Sequence, residues 1–139
     1  MLRGVTFQQF RRLCLALPEA EEVETWGEAT FRVRSRIFAM GSDSGDHVSV
    51  KASLDDQAGL VEMDPKTFSP SAFTGRFGWV SVRLAGIGPE LAQRLVTNGW
   101  TRAAPRRLVT QHSLSLEGEG GEGVGSSRLN RPAQKALRR

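Results

Sequence analysis

Apolar residues recur at helical spacing in three parts of the chain. Thr6 and Gln9 have the spacing of a capping box, and apolar residues follow at intervals typical of a helix face. Ser53 is followed by two aspartates, a combination that favours a helix N-terminus. Pro89 suits the first position of a third helix, which Gly99 is expected to end. The predicted helices span about residues 6–17, 54–63 and 89–98.

The stretch ETWGEATFRVRSRIFAM, residues 24–40, predicts a β-hairpin because apolar and polar residues alternate on both sides of a possible turn. If Ser35 and Arg36 form a two-residue turn, Val33 pairs with Phe38 and the apolar side chains share one face. The same register directs two arginines to the opposite face, Arg32 and Arg34.

Two further segments, HVSVKA and GWVSVRL, alternate in the same way. Their valines point to one side, and the side chains predicted on the other side include Lys51, Trp79 and Arg83. With a short strand expected near Val23, the order is a helix, four or five antiparallel strands broken by a helix, and a final helix. This order predicts an α+β fold in which helices pack on one face of an antiparallel sheet.

Length and composition indicate where the folded domain ends. The 139 residues suit one domain, and from residue 111 the sequence becomes rich first in Gly and Glu and then in Arg. We therefore expect an α+β domain over residues 1–110 and a disordered tail over 111–139. Arg11 and Arg12 interrupt the apolar N-terminal stretch, and no apolar run reaches the roughly 18 residues of a membrane span. A cytoplasmic location without a membrane partner is expected.

The formal net charge is +4, and arginine supplies most of the 19 cations. Because guanidinium groups stay charged to very high pH, the positions of the cations say more than the high pI does. Cations on one sheet face could follow a phosphate backbone, and an aromatic side chain beside them could stack on unpaired bases. The alternative is a solvated face whose arginines pair with nearby acids. Alternation alone leaves both possibilities open.

Catalytic and cofactor motifs do not emerge from the sequence. The histidines are His47 and His112, and neither accompanies a serine or cysteine motif. The lone Cys14 is interpreted as a core residue because leucines surround it. The glycines of GRFGW lack the spacing of a dinucleotide or phosphate loop. No enzyme activity, cofactor or metal is therefore expected.

The motifs ETWGEATFRV, IFAM, VSVKAS, GRFGWVSVRL and AAPRRL, in this order, resemble the MmcQ/YjbR family over about residues 7–108. The resemblance implies a CyaY-like α+β fold and DNA binding through two hairpin wings, and it implies no catalytic residue. The conspicuous motif positions in this chain are Trp26, Gly27, Phe31, Phe38, Lys51, Gly78, Trp79, Ala104, Pro105 and Leu108.

The chain departs from this family pattern at both hairpin tips. The first tip, Arg34-Ser35-Arg36, lacks the glycine and lysine often found there, and Asp43 and Asp46 at the second tip would repel phosphate. A CyaY-like fold also raises iron binding, but the first helix contains no acid, so no metal is expected.

Two hypotheses for the function follow from the sequence. The first is a weakly specific DNA-binding module that uses the basic sheet face and the first hairpin tip. Its predicted contact residues are Arg32, Arg34, Arg36, Lys51, Trp79 and Arg83. The alternative is a non-enzymatic module whose sheet face binds a small anionic ligand or a protein.

Overall fold

The computed structural model describes residues 4–119, and within them an antiparallel six-stranded sheet combines with four helices. The predicted α+β class is confirmed. The helices are α1 (Phe7–Leu15), α2 (Leu54–Met63), α3 (Pro89–Ala103) and α4 (Arg106–Glu119). The strands are β1 (Ala20–Thr25), β2 (Glu28–Val33), β3 (Arg36–Gly41), β4 (His47–Val50), β5 (Phe68–Pro70) and β6 (Val80–Arg83), in the spatial order β1-β2-β3-β4-β6-β5.

The capping residues that the sequence indicated begin α1 and α2. The Thr6 hydroxyl accepts a hydrogen bond from the Gln9 amide at 3.1 Å, and the Gln9 side chain accepts one from the Thr6 amide at 2.9 Å. The Ser53 hydroxyl accepts the Asp56 amide at 3.0 Å. Both helices lie close to their predicted bounds, and the six-stranded sheet exceeds the expected four or five strands by one short edge strand, β5.

Helix α3 continues past its predicted end, so the interpretation of Gly99 as a helix stop was wrong. Gly99 lies inside the helix at a close approach to the sheet. A Cβ atom there would lie 3.0 Å from the Phe38 carbonyl oxygen and 3.1 Å from Val50 Cγ1. The glycine therefore permits close packing, and the helix extends to include Arg102.

The chain forms two compact units, one that ends at Ala104 and a second that begins at Pro105 and contains α4. The helix runs to Glu119, so the predicted disordered tail is wrong for residues 111–119. The Pro105 carbonyl accepts the Val109 amide at 3.1 Å, and no glycine or proline interrupts the chain before Gly118. The remainder of the predicted tail, residues 120–139, lies outside the described residues.

The β2–β3 hairpin forms, but its predicted register was wrong. The turn residues are Arg34 and Ser35, with φ angles of 51° and 72°, so Val33 pairs with Arg36. Both positive φ angles match a type I′ turn, which favours glycine but does not require it. A register shift next to Phe31 leaves Phe38 as an extra residue on β3, and this irregularity lets Phe38 and its neighbour Ala39 both be buried.

Side chains of the sheet alternate between two faces. On the first face, Phe31 packs against Phe10 of α1 with ring centroids 5.9 Å apart, and α3 approaches β3 and β4 at Gly99. The buried strand residues of this face are Phe31, Val33, Val48, Val50, Val80 and Val82. On the second face, residues that pair directly across four neighbouring strands form a row perpendicular to the strands. We call it the level row, and it consists of Thr30, Met40, Ser49 and Ser81.

Successive antiparallel strands reverse direction, so the turns alternate between the two ends of the sheet. We call one end the Arg34 end. It contains the β2–β3 turn and the points where β4 stops and β6 starts, at Lys51 and Trp79. We call the other the Trp26 end, and it contains the β1–β2 turn and the β3–β4 loop.

Candidate functional site

Arg32 and Arg83 share the second sheet face, as predicted, but at diagonally opposite corners. Arg32 lies two residues from the level row toward the Arg34 end, and Arg83 lies two residues from it toward the Trp26 end. Three strand spacings also separate them, so their Cα atoms are roughly 13 Å apart along the strands and roughly 14 Å apart across them. The level row that runs between them, Thr30, Met40, Ser49 and Ser81, carries no charge. The predicted basic face is therefore not one continuous patch.

Both guanidinium groups bond to neutral oxygens, and that of Arg32 turns back toward the β1–β2 turn. Arg32 donates from Nε to the Thr30 hydroxyl at 3.0 Å and from Nη2 to the Thr25 hydroxyl at 3.1 Å. Arg83 donates from Nε to the Lys66 carbonyl at 3.4 Å. These bonds hold each arginine against the sheet, and Arg32 and Arg83 are both half-buried.

Arg34, at the turn, is paired with an acid. It donates through Nε and Nη2 to the two carboxylate oxygens of Glu19, with the Nη2 bond at 3.1 Å. This contact holds the pKa of the Glu19 carboxyl below its usual value. The fork geometry satisfies both carboxylate oxygens, so Arg34 offers a phosphate a neutralised pair rather than a free cation.

The two hairpin tips lie at opposite ends of the sheet, because they share strand β3 and follow its two ends. At the second tip, Asp46 Oδ1 lies 2.8 Å from His47 Nδ1, and this contact lowers the pKa of Asp46. The six residues of β3 hold the tips roughly 20 Å apart. These two hairpin tips therefore do not lie side by side as adjacent wings would.

Three cations meet at the Arg34 end, and we call them the basic cluster: Arg36, Lys51 and Arg102. Arg36 begins β3, Lys51 follows β4, and Arg102 lies in the last turn of α3. Burial lowers the pKa of Lys51, and the positive charges of Arg102 and then Arg36 lower it further. The protein thus brings Arg36 and Arg102 close enough to Lys51 to disfavour its charged form.

Trp79 lies beneath this cluster and not on an open face. Only 8% of its surface is exposed, and Lys51 Nζ lies 5.6 Å from its ring centroid. The prediction of an outward Trp79 was wrong, because Gly78 has a φ of 106° and β6 begins only at Val80, so strand alternation does not extend to Trp79. Its ring supports the Lys51 ammonium through a cation–π contact and cannot receive a base.

One carboxylate borders the basic cluster. Burial raises the pKa of the Asp56 carboxyl. The hydrogen bond that it accepts from Asn98 Nδ2 at 3.2 Å and the charge of Arg102 act in the opposite direction. The Nε atom of Arg102 is buried and has no hydrogen-bond partner among the described residues. Within the part of the chain that the structure describes, these three cations and Asp56 make a net positive site with one unsatisfied donor.

Sequence reasoning missed Arg102 and an aromatic loop. The signal for Arg102 was present, because apolar and small residues continue at helical spacing through Gly99, Trp100 and Ala103. The loop over residues 71–79 contains the exposed side chains of Phe73, Arg76 and Phe77. Its sequence, rich in Gly, Ser and Thr, gave no indication that two aromatic residues would be exposed.

The arrangement of these residues can be compared with known proteins. A family model described as YjbR matches residues 15–102. The chain belongs to the YjbR family. This confirms the resemblance seen in the sequence, and the matched range of this YjbR-family protein includes the whole basic cluster and the aromatic loop.

Two solved structures are similar to this YjbR-family protein in fold. One is a Deinococcus radiodurans protein with a domain designated DUF419, which is 23% identical with a TM-score of 0.63, over 70% of this chain and 76% of that chain. The other is a Pseudomonas syringae protein, 16% identical with a TM-score of 0.57, over 71% of this chain and 99% of that chain. No curated protein matches the chain.

Within residues 4–119, no helix has the length and apolar character to cross a bilayer. In the same part of the chain, no three His, Cys, Asp or Glu side chains converge as metal ligands would. The basic cluster is thus the feature of the YjbR-family protein on which a functional proposal can be built.

Proposed function

We propose that this YjbR-family protein is a DNA-binding module with weak sequence specificity, and that it contacts phosphate through the basic cluster. The observation that carries the proposal is the convergence of Arg36, Lys51 and Arg102, in which burial and then the charges of the two arginines lower the pKa of Lys51. Like charges brought together without a ligand repel each other, and a phosphate oxygen would relieve that repulsion. A phosphate contact does not touch the base edges that distinguish one sequence from another, so little sequence specificity is expected.

The basic cluster suits this role better than the predicted sheet face does. Arg34 is neutralised by Glu19, and Arg32 and Arg83 are separated and held by neutral oxygens. Arg36, in contrast, is exposed and forms none of the ion pairs among the described residues. A flexible, unpaired cation loses no existing partner when it binds phosphate.

The proposed function includes no reaction. Cys14 is buried, and burial together with the negative charge of Glu22 raises the pKa of its thiol, so the thiolate is disfavoured. His47 is engaged by Asp46 at the Trp26 end, remote from the basic cluster. These features favour a binding module over an enzyme.

Arg36 and Arg34 provide a matched test because they lie two residues apart at the same turn. We expect Arg36→Gln to weaken binding of a labelled DNA oligonucleotide about tenfold and to reduce the salt slope of log K by about one unit. Arg34→Gln should change affinity less than about twofold, because Glu19 already occupies its guanidinium. Fluorescence anisotropy at several salt concentrations measures both. Equal losses in the two variants would contradict the assignment of the site to the basic cluster.

A compact anion is a second candidate ligand, and the buried, unpartnered Nε of Arg102 favours it. A ligand must displace the neighbours that cover this donor, and a small phosphate compound needs less room to do so than a polymer does. Competition distinguishes the two ligands. Displacement of labelled DNA by millimolar nucleoside monophosphate would support the compact anion, whereas displacement only by longer polyanions would support DNA.

The lowered pKa of Lys51 predicts an alkaline loss of affinity. A bound phosphate favours the charged ammonium, so binding should weaken as the pH rises through the pKa of Lys51 in the free protein, which lies below the usual 10.5. The pH dependence of folding stability has the opposite sign. Stability should rise over the interval between that lowered pKa and 10.5, because the unfolded chain retains a proton that the folded protein has released.

The control for this pH dependence is Lys51→Arg, which keeps its charge throughout the interval. Anisotropy titrations between neutral and alkaline pH should show the loss in the native protein and a flat profile in the variant. The same pH profile in both proteins would exclude Lys51 as the titrating contact.

A further inference from the structure

The loop over residues 71–79 exposes two aromatic side chains that the fold does not use. Phe73 is 93% exposed and Phe77 is 64% exposed. A large apolar side chain gains little folding stability at such exposure, and two of them in one short loop form a local apolar feature on a charged surface. Their presence is better explained by a contact outside the chain.

Hydrogen bonds tie the loop backbone to the fold, so the positions that carry the two aromatic rings are set before any ligand arrives. The Ser71 amide donates to the Trp79 carbonyl at 3.1 Å, which closes the loop. The buried Gln57 side chain donates from Nε2 to the carbonyls of Gly75 at 2.8 Å and Trp79 at 2.7 Å. A rigid platform loses less conformational entropy when it binds than a mobile loop does.

The backbone at Phe73 gives a second, independent indication. Its φ is 65°, in the left-handed region that glycine and asparagine tolerate and that bulky side chains rarely adopt. Neither burial nor backbone conformation therefore favours phenylalanine at this position. A phenylalanine that is both exposed and in an unfavourable backbone conformation points to a role in recognition.

The loop also adjoins the basic cluster. It ends at Trp79, whose ring lies under the Lys51 ammonium, and Gly78 lies against the backbone of Ala52, where a Cβ atom would be 2.2 Å from the carbonyl oxygen. Within the loop, the Arg76 guanidinium lies 4.8 Å from the Phe77 ring centroid. Cations and exposed aromatic rings thus both lie at the Arg34 end of the sheet.

We propose that the ligand of this end is single-stranded DNA, with unpaired bases stacked on Phe73 and Phe77 while the backbone phosphates contact the basic cluster and Arg76. Aromatic platforms beside a basic groove bind single strands with little sequence preference, because every base has a stacking face. Bases in a duplex are already stacked on their neighbours and cannot cover these rings. This inference rests on the proposed phosphate contact and adds the strandedness of the ligand.

The test compares three probes of equal length, each of roughly 12 nucleotides to suit one binding surface: oligothymidylate, an abasic strand and a duplex. The abasic strand keeps the phosphates and removes the bases. We expect oligothymidylate to bind at least about tenfold more tightly than the abasic strand. Phe73→Asn should abolish most of this difference while leaving abasic binding unchanged. Its melting temperature should equal or exceed that of the native protein, since asparagine tolerates the backbone at this position.

The outcomes separate this inference from the proposed function. Equal binding of oligothymidylate and the abasic strand, or tighter binding of the duplex, would overturn the single-strand inference and leave the phosphate contact intact. Loss of the preference for bases in Phe73→Asn would support it. If Arg36→Gln bound all three probes as well as the native protein, the phosphate contact itself would fail. Phe73-dependent binding to anionic lipid vesicles, without preference for bases, would show that the loop is a membrane contact instead.

Discussion

Gly78→Ala is expected to cost the fold roughly 3–5 kcal/mol, because backbone strain and a severe overlap act at the same position. Its φ of 106° disfavours any side chain, and a Cβ atom would lie 2.2 Å from the Ala52 carbonyl oxygen and 2.8 Å from the Ser53 carbonyl carbon. Backbone atoms cannot rotate away as a flexible side chain could. Urea unfolding monitored by far-UV circular dichroism measures the loss.

Gly59→Ala is the matched control for this prediction. Gly59 lies inside α2, is exposed, and would have no atom within 4 Å of an added Cβ. Alanine favours a helix interior over glycine, so the variant should gain about 0.5–1 kcal/mol. Similar unfolding midpoints for the two variants would contradict the close packing of Gly78 against the Ala52–Ser53 backbone.

Lys51→Glu is expected to weaken DNA binding at least about 100-fold, because the new carboxylate would face a phosphate across the contact and like charges there cost several kcal/mol. The stability of the free protein should change little. The carboxylate would lie near Arg36 and Arg102, whose charges now repel the Lys51 ammonium, and the new attraction offsets the lost cation–π contact with Trp79. Anisotropy and thermal unfolding of the same preparation measure both effects.

Arg83→Glu provides the control at the far corner of the sheet face. It changes the net charge by the same amount but lies at the Trp26 end, so its effect on affinity should stay below about threefold at physiological salt, where screening acts over about 8 Å. A comparable loss in both variants would indicate general attraction by net charge. It would remove the argument for a localised site.

Short sequence patterns correctly predicted the parts of the fold that depend on residues close together in the chain. The Thr6 and Ser53 caps, the start of α3 at Pro89 and the buried valines of β4 and β6 follow from side-chain chemistry and a spacing of two or four residues. Each depends on neighbours along the chain, so tertiary contacts did not change them. The fold class follows because these elements admit few arrangements.

The candidate site depended instead on contacts between distant segments. The β2–β3 register was set by a turn with two positive φ angles and a strand irregularity, and nothing in the residue types around Arg34 and Ser35 specifies either. The Arg34–Glu19 pair joins residues 15 positions apart, and the basic cluster combines a strand start, a strand end and the last turn of a helix. The alternation of apolar and polar residues showed where cations occur along the strands but not which of them pair with an acid.

The measurement that tests the central claim most directly is a nuclear magnetic resonance titration of the ¹⁵N-labelled protein with single-stranded DNA. The account predicts that the largest shifts occur at the Arg34 end, in the amides of Arg36, Lys51 and Arg102, in the indole N–H of Trp79 and in the aromatic loop. Signals from His47 and Arg83 at the Trp26 end should remain nearly unchanged. Shifts concentrated at the Trp26 end or spread evenly over the second sheet face would contradict the account.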